Sequence, residues 1–180
     1  PQQSDAVTIV TFMSYNSTGM NSMKAKWICE FMEDLEVDYC AVQEHFKNTK
    51  TTDKFSRDKF SDYNSYVFPA HPAPGVDSGR CSGGITQLSR KYYNVRKDRV
   101  KSDCYRVQAQ VLNFPGSRLL SINAYLPTDP GLMAGWDETN LQECLSEINK
   151  VICVTEHTDV LLQGVFSCPE QPYCRGPRAY

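Results

Sequence analysis

The sequence predicts an α+β domain, a mixed α/β sandwich, and three features carry that prediction. Its patterns run β-α-β, then several strands, then a helix and a strand. Tyr105, Val107, Ala109 and Val111 alternate with Arg106, Gln108 and Gln110, and a second apolar run follows across Pro115-Gly116, which is a hairpin signature. The chain has 180 residues, 41% of them hydrophobic, which suits one domain with a sizeable core.

The elements follow in order. Val7 to Met13 is β-branched and strand-like, and Tyr15-Asn16-Ser17-Thr18-Gly19 reads as a loop after it. Met20, Met23, Trp27, Phe31 and Leu35, with Ile28 and Met32 beside them, form a helical stripe expected to pack on a sheet, with Ser22 as N-cap. Val37 to Val42 is a buried strand ending at Gln43-Glu44-His45. Residues 46–65 are polar and basic, a loop with a short helix, and Ser65 to Phe68 is a further strand. Residues 70–82 read as a surface loop, and Gly83-Gly84 opens the strand Ile85 to Leu88. The alternating strand at 105–111 has one wet or covered face, and 119–125 is its antiparallel partner. Leu141, Leu145, Ile148 and Ile152 line a helix with Cys144 and Val151 beside them. Val160 to Gly164 is a last buried strand, after which three Pro in residues 169–177 end regular structure.

Composition excludes several classes. Ten Gly and ten Pro are close to average, so collagen-like and low-complexity chains are excluded. A net charge of −2 with abundant aromatics does not force disorder. No run approaches about 18 apolar residues, so no membrane span is expected. No basic start leads into an apolar run, so the expected location is intracellular, without a secretory signal. A first residue of Pro suggests a fragment or a trimmed product. The eight cysteines form no Cys-x-x-Cys pair and sit singly in apolar segments, which fits free thiols. Cys153, His157, Cys168 and Cys174 match no common zinc spacing.

Polar residues at the ends of buried strands can share a cleft that the sheets hold rigid. Four such places stand out: Asn16, Gln43-Glu44, Tyr125-Leu126-Pro127 and Gly164. A carboxylate with an amide oxygen is a hard-oxygen set suited to Mg²⁺. Each place taken alone also has an ordinary reading, as a solvated strand end or a turn.

Together these segments resemble the motifs of the endonuclease/exonuclease/phosphatase superfamily, the deoxyribonuclease-I-like group. Ser14 to Met20 resembles the first motif, and Asp38 to His45 the second, where Gln-Glu ends a buried strand. Gly79-Arg80-Cys81-Ser82-Gly83-Gly84 resembles the glycine-rich segment of non-LTR retrotransposon endonucleases, the branch most similar in wording. Ile122 to Pro127 resembles the strand ending in Tyr-x-Pro, and residues 160–167 fall where the family has Gly-Asp-Phe-Asn. The resemblance covers residues 7–168, between a disordered 1–6 segment and an irregular 169–180 tail.

The resemblance implies a four-layer sandwich of two mixed sheets flanked by helices, incomplete at the C-terminus. It also implies Mg²⁺- or Mn²⁺-dependent cleavage of DNA phosphodiesters. Glu44 would be the main metal ligand, with Asn16 beside it on metal or phosphate. Tyr125 would reach the scissile phosphate, and Arg80 and Ser82 would touch the DNA backbone. Two departures stand against full activity. Val165 and Ser167 occupy the places of the family's Asp and Asn, and no terminal Asp-His segment is present. Loss of general-base help costs about 10²–10⁴-fold in rate, so the activity expected is weak or lost. The absence of further strands would leave an open edge for a missing C-terminal segment or a reverse-transcriptase polyprotein, and a nuclear location would follow for a retrotransposon product.

Basic residues cluster at Lys47, Lys50, Lys54, Arg57 and Lys59, and again at Arg90, Lys91, Arg96, Lys97, Arg99 and Lys101 beside Tyr92 and Tyr93. They read either as a phosphate-tracking patch or as two solvated loops. The rivals to a nuclease are a non-catalytic nucleic-acid or protein-binding remnant, which Val165 and Ser167 favour, and a phosphatase or phosphodiesterase acting on a lipid or inositol phosphate.

Overall fold

The computed structural model describes residues 9–72, 81, 83–91, 96–126 and 138–165. The elements are β1 (Phe12–Asn16), α1 (Ser22–Asp34), β2 (Tyr39–Gln43), α2 (Thr49–Lys59), β3 (Tyr63–Phe68), β4 (Ile85–Arg90), β5 (Arg96–Val100), β6 (Val107–Phe114), β7 (Ser117–Tyr125), α3 (Glu138–Val154) and β8 (Asp159–Val165). They build two four-stranded sheets, ordered β1-β2-β4-β3 and β5-β6-β7-β8. Both sheets are mixed. β1 runs parallel to β2 and β7 runs parallel to β8, with a helix in each connection, while the other pairs are antiparallel. The expected four-layer sandwich is what the chain forms.

Two outer cores hold the helices to the sheets. Ala25, Ile28 and Met32 of α1 pack with Cys40, Val42 and Leu88 of the first sheet. Cys144, Ile148 and Val151 of α3 pack with Val107, Ala109, Val111, Leu120, Ile122 and Ala124 of the second. Truncating a side chain as buried as Ile28 to Ala costs about 2–5 kcal/mol. The inner layer is different, because amides cross it. Gln43 Nε2 donates to Asn123 Oδ1 at 2.8 Å, Gln108 Nε2 to the Tyr66 carbonyl at 2.8 Å, and Gln163 Nε2 to the Met13 carbonyl at 3.0 Å. The polar face of β6 is therefore a covered face, not a wet one.

Several local expectations change. The N-cap of α1 is Asn21, whose side chain accepts from the Lys24 backbone N–H at 2.8 Å, rather than Ser22. An amide oxygen one residue earlier closes the turn and leaves Ser22 as the first helical residue. The helical stripe is divided: Met23, Trp27, Phe31 and Leu35 are exposed. Successive residues at i, i+4, i+8 drift around an α-helix, so only the neighbouring row of Ala25, Ile28 and Met32 meets the sheet. Asn16 is the last residue of β1 and pairs with Gln43, rather than sitting in a loop. The chain at Arg96–Val100 is an edge strand, not a loop. Arg90 is 7% exposed and belongs to no surface patch: its guanidinium donates to the Met32 carbonyl, to Val37 O at 2.8 Å and to Glu33 Oε2 at 2.8 Å, closing the C-terminal end of α1. The segment 1–6 and the tail 169–180 lie outside the described residues. Among the described residues, no helix is long and apolar enough to cross a membrane.

Candidate active site at the strand ends

Parallel pairing brings the last residues of β1 and β2 side by side, and does the same for β7 and β8. Asn16 is level with Gln43, and Tyr125 is level with Val165. The Gln43–Asn123 bond joins the sheets just behind these ends. Asn123 is fully buried, and its Nδ2 also donates to Thr86 O at 3.0 Å and Val42 O at 3.4 Å. The two sets of strand ends thus open on one face of the sandwich.

Glu44 follows β2 with φ +56, in the left-handed region. Such a backbone costs about 1–3 kcal/mol and persists only where its surroundings hold it. Here Ser17 Oγ donates to Gln43 O at 2.8 Å and to Glu44 O at 2.9 Å, and Gly19 N–H donates to Glu44 O at 2.7 Å. Lys24 Nζ reaches back from α1 to the carbonyls of Ser17 at 2.6 Å and Gly19 at 3.1 Å, which fixes the loop itself. Glu44 as a residue is 9% exposed, and its carboxylate accepts from Asn16 Nδ2 at 3.3 Å. Asn16 Oδ1 is held by the Thr18 N–H at 3.0 Å.

Tyr125 stands between Glu44 and a cation. Its phenol lies near both Glu44 and Arg106, and burial followed by the nearby Glu44 charge raises its pKa above the ordinary phenol value. The Arg106 guanidinium lies 5.2 Å from the centre of the Tyr125 ring and 5.0 Å from that of Tyr105, and its Nε donates to Tyr105 Oη at 2.9 Å. The backbone repeats the link, since Tyr125 N–H donates to Arg106 O at 2.9 Å. A carboxylate, a phenol and a guanidinium therefore stand in a row at the cleft.

His45 is adjacent in sequence and absent from this chemistry. Its Nε2 pairs with Phe68 O at 3.0 Å and its Nδ1 accepts from Lys47 N–H at 3.0 Å, which places the proton on Nε2. Burial pushes its pKa down to about 4. Gly84, at φ +82, lies against the ring: a Cβ there would come within 2.5 Å of it. His71 is exposed, with its ring 4.4 Å from that of Tyr105. His157 bonds Thr155 O at 2.6 Å, far along the chain from the cleft.

The structure brings Glu44, Asn16 and Tyr125 together. Arg80, Ser82 and Ser167 lie outside the described residues. Val165 is half-buried beside Tyr125, in the place where the sequence resemblance expects an Asp. Asp159 cannot replace it, because it sits at the opposite end of β8 and bonds Ser117 Oγ at 3.2 Å. Arg106, Ser17 and Lys24 are additions. Arg106 was visible only as one polar position in an alternating strand, although its neighbour Tyr105 marks an aromatic-cation pair.

No protein-family model matches the sequence, and no curated protein matches it. Solved structures do match its backbone. TDP2 from D. rerio, complexed with single strand DNA product, aligns at TM-score 0.54 and 16% identity over 86% of this chain and 59% of its own. The 3' phosphatase NExo from Neisseria, bound to product DNA hairpin, aligns at 0.58 and 16% over 87% of this chain and 57% of its own. The AP endonuclease LMAP from Leishmania major aligns at 0.53 and 19% over 79% of this chain and 46% of its own. This chain has the deoxyribonuclease-I-like fold. It spans about half to three-fifths of the length of these structures. The nearer likeness to retrotransposon endonucleases rests on motif wording alone.

Proposed function

We propose that this chain is a nuclease-type phosphodiesterase domain that binds a divalent cation and DNA phosphate and hydrolyses the ester slowly. The observation that carries the proposal is the row Glu44–Tyr125–Arg106 at the open strand ends. The DNA named with two of the similar structures supports DNA as the substrate class.

The residues fit Mg²⁺ or Mn²⁺. Among the described residues, Glu44 is a largely buried carboxylate with no ion-pair partner, although burying an uncompensated charge is expensive. Among the described residues there is also no cluster of three His, Cys, Asp or Glu side chains. A single carboxylate with oxygen neighbours suits Mg²⁺, which keeps several waters and takes substrate phosphate as a ligand. Glu44 would hold the ion and Asn16 would orient the Glu44 carboxylate. Such an ion supplies Lewis-acid stabilisation of charge on the phosphoryl and leaving oxygens. Arg106 would neutralise a phosphate oxygen, and the Tyr125 hydroxyl would turn from Glu44 to donate to the phosphate.

Val165 sets the rate. A branched hydrocarbon beside Tyr125 cannot take a proton from water or orient it, which leaves hydrolysis about 10²–10⁴-fold below that of a site with a base. The same residue supports the second reading, a binding module that retains phosphate recognition without turnover. A supercoiled-plasmid nicking assay with Mg²⁺, run beside Glu44→Ala, separates them. Slow nicking by the parent and none by the variant supports the enzyme. Equal background in both, with DNA binding retained, supports the binding module.

A further inference from the structure

Cys104 lies in the turn that leads into β6, and Cys144 lies on α3. Their Sγ atoms are 3.5 Å apart. We infer that Cys104 and Cys144 form a site of reversible oxidation, closing to a disulfide that ties the turn carrying Arg106 to α3.

The two thiols are not equivalent. Cys144 is 1% exposed within the apolar layer between α3 and the second sheet. Cys104 is half-buried and borders an open groove of about 600 Å³, lined also by Asp103, Tyr105, Gln142 and Glu143. A small oxidant therefore reaches Cys104 first. The contact with Cys144 Sγ, followed by the backbone and charge of the neighbouring Arg106, holds the Cys104 thiol below the ordinary thiol range. The same contact and burial push the Cys144 thiol up. Access makes Cys104 the reactive member of the pair and leaves Cys144 as the sulfur that resolves it.

The chemistry balances with a hydroperoxide as oxidant. The Cys104 thiolate attacks a peroxide oxygen, the O–O bond breaks, and sulfenic acid and hydroxide form. Cys144 sulfur then attacks Cys104 sulfur, the S–O bond breaks, and the S–S bond forms. The Cys144 proton leaves with the displaced hydroxide as water. Two electrons pass from the thiol pair to the peroxide, and an external thiol reverses the reaction by exchange.

Closure has a consequence at the cleft, and that part rests on the functional reading above. A disulfide brings the sulfurs to about 2.05 Å. Cys104 lies two residues before Arg106, so the sulfur's movement is passed to the turn that carries the guanidinium. Arg106 meets Tyr125 through both its side chain and its backbone, so oxidation displaces the guanidinium from the phosphate position.

The test treats the reduced full chain with graded hydrogen peroxide, blocks remaining thiols, and maps the unreduced digest by mass spectrometry. The expected result is a Cys104–Cys144 linked peptide that dithiothreitol removes. Cys144→Ser should instead trap a Cys104 sulfenic acid that reacts with dimedone, and Cys104→Ser should leave Cys144 unmodified. Oxidation at Cys81 or Cys153 without the linked peptide overturns the site, as does a dimedone adduct on Cys144. Fluorescence anisotropy with a short single-stranded oligonucleotide reads the consequence. The cross-linked chain should bind about tenfold more weakly, the loss of one charge-assisted contact, whereas peroxide should not change the affinity of Cys104→Ser. Unchanged affinity in fully cross-linked protein overturns the coupling to Arg106.

Discussion

Removing the Asn123 side chain tests whether the amide bond between the sheets holds the cleft together. Asn123 is fully buried and makes three hydrogen bonds, one accepted from Gln43 and two donated to the Thr86 and Val42 carbonyls. Each bond contributes about 1 kcal/mol net, and a buried partner left unsatisfied costs about 1–3 kcal/mol. Gln43 Nε2 keeps a second partner in Ser14 Oγ at 3.2 Å, which softens the loss on that side. Asn123→Ala should therefore cost about 3 kcal/mol in all. For a domain of this size that lowers the melting temperature by roughly 6–12 °C. Urea unfolding of the parent, Gln43→Ala, Asn123→Ala and the double variant gives the coupling directly. The double variant should be milder than the sum of the singles by about 0.5–3 kcal/mol. Strict additivity, or an Asn123→Ala cost below about 1 kcal/mol, would refute the reasoning.

Other outcomes follow from the same contacts. His45 is held neutral, with its folded pKa depressed to about 4 against an ordinary 6.5. Its contribution is present in full above about 6.5 and is lost as pH falls towards 4, amounting to roughly 3 kcal/mol; urea midpoints across that window should fall more steeply for the parent than for His45→Asn. Gly164→Ala would place a Cβ 1.8 Å from the Ala124 carbonyl oxygen, so it should destabilise the chain by at least about 2 kcal/mol in thermal unfolding. Ser17→Ala removes both hydroxyl contacts that hold the Glu44 turn and should cost about 1–2 kcal/mol, with a matching loss of metal affinity by calorimetry. Arg106→Ala should weaken oligonucleotide binding about tenfold in anisotropy, with a melting temperature close to that of the parent.

The parts of the fold that the sequence disclosed are those where side-chain period and burial agree. The hairpin of β6 and β7, the buried β2 and the helix α3 all show one apolar face. The alternation in β6 marks a strand, but its glutamines give no hint that their face meets another sheet. α2 was hard to place because it buries Thr52 and Ser56 rather than an apolar row. β5 was hidden for a related reason: it is an edge strand of Arg, Lys and Asp, and edge strands carry charge that looks like loop. In α1 two adjacent apolar rows compete for one sheet, and local pattern cannot choose between them. At the site, Glu44, Asn16 and Tyr125 are legible because each stands at the end of a strand-like run, although β1 itself is only half-buried. Arg106, Ser17 and Lys24 were not, since their roles depend on which loop faces which strand end. Val165 was legible as a departure, and its position beside Tyr125 gives that departure a physical meaning.

The central claim is that Glu44 forms a divalent-cation site at the strand ends. Isothermal calorimetry of the parent and Glu44→Gln with Mn²⁺, after circular dichroism has shown both to be folded, tests it most directly. The account predicts one saturable site in the parent and none in the variant. Equal binding by both, or no binding by a well-folded parent, would contradict it.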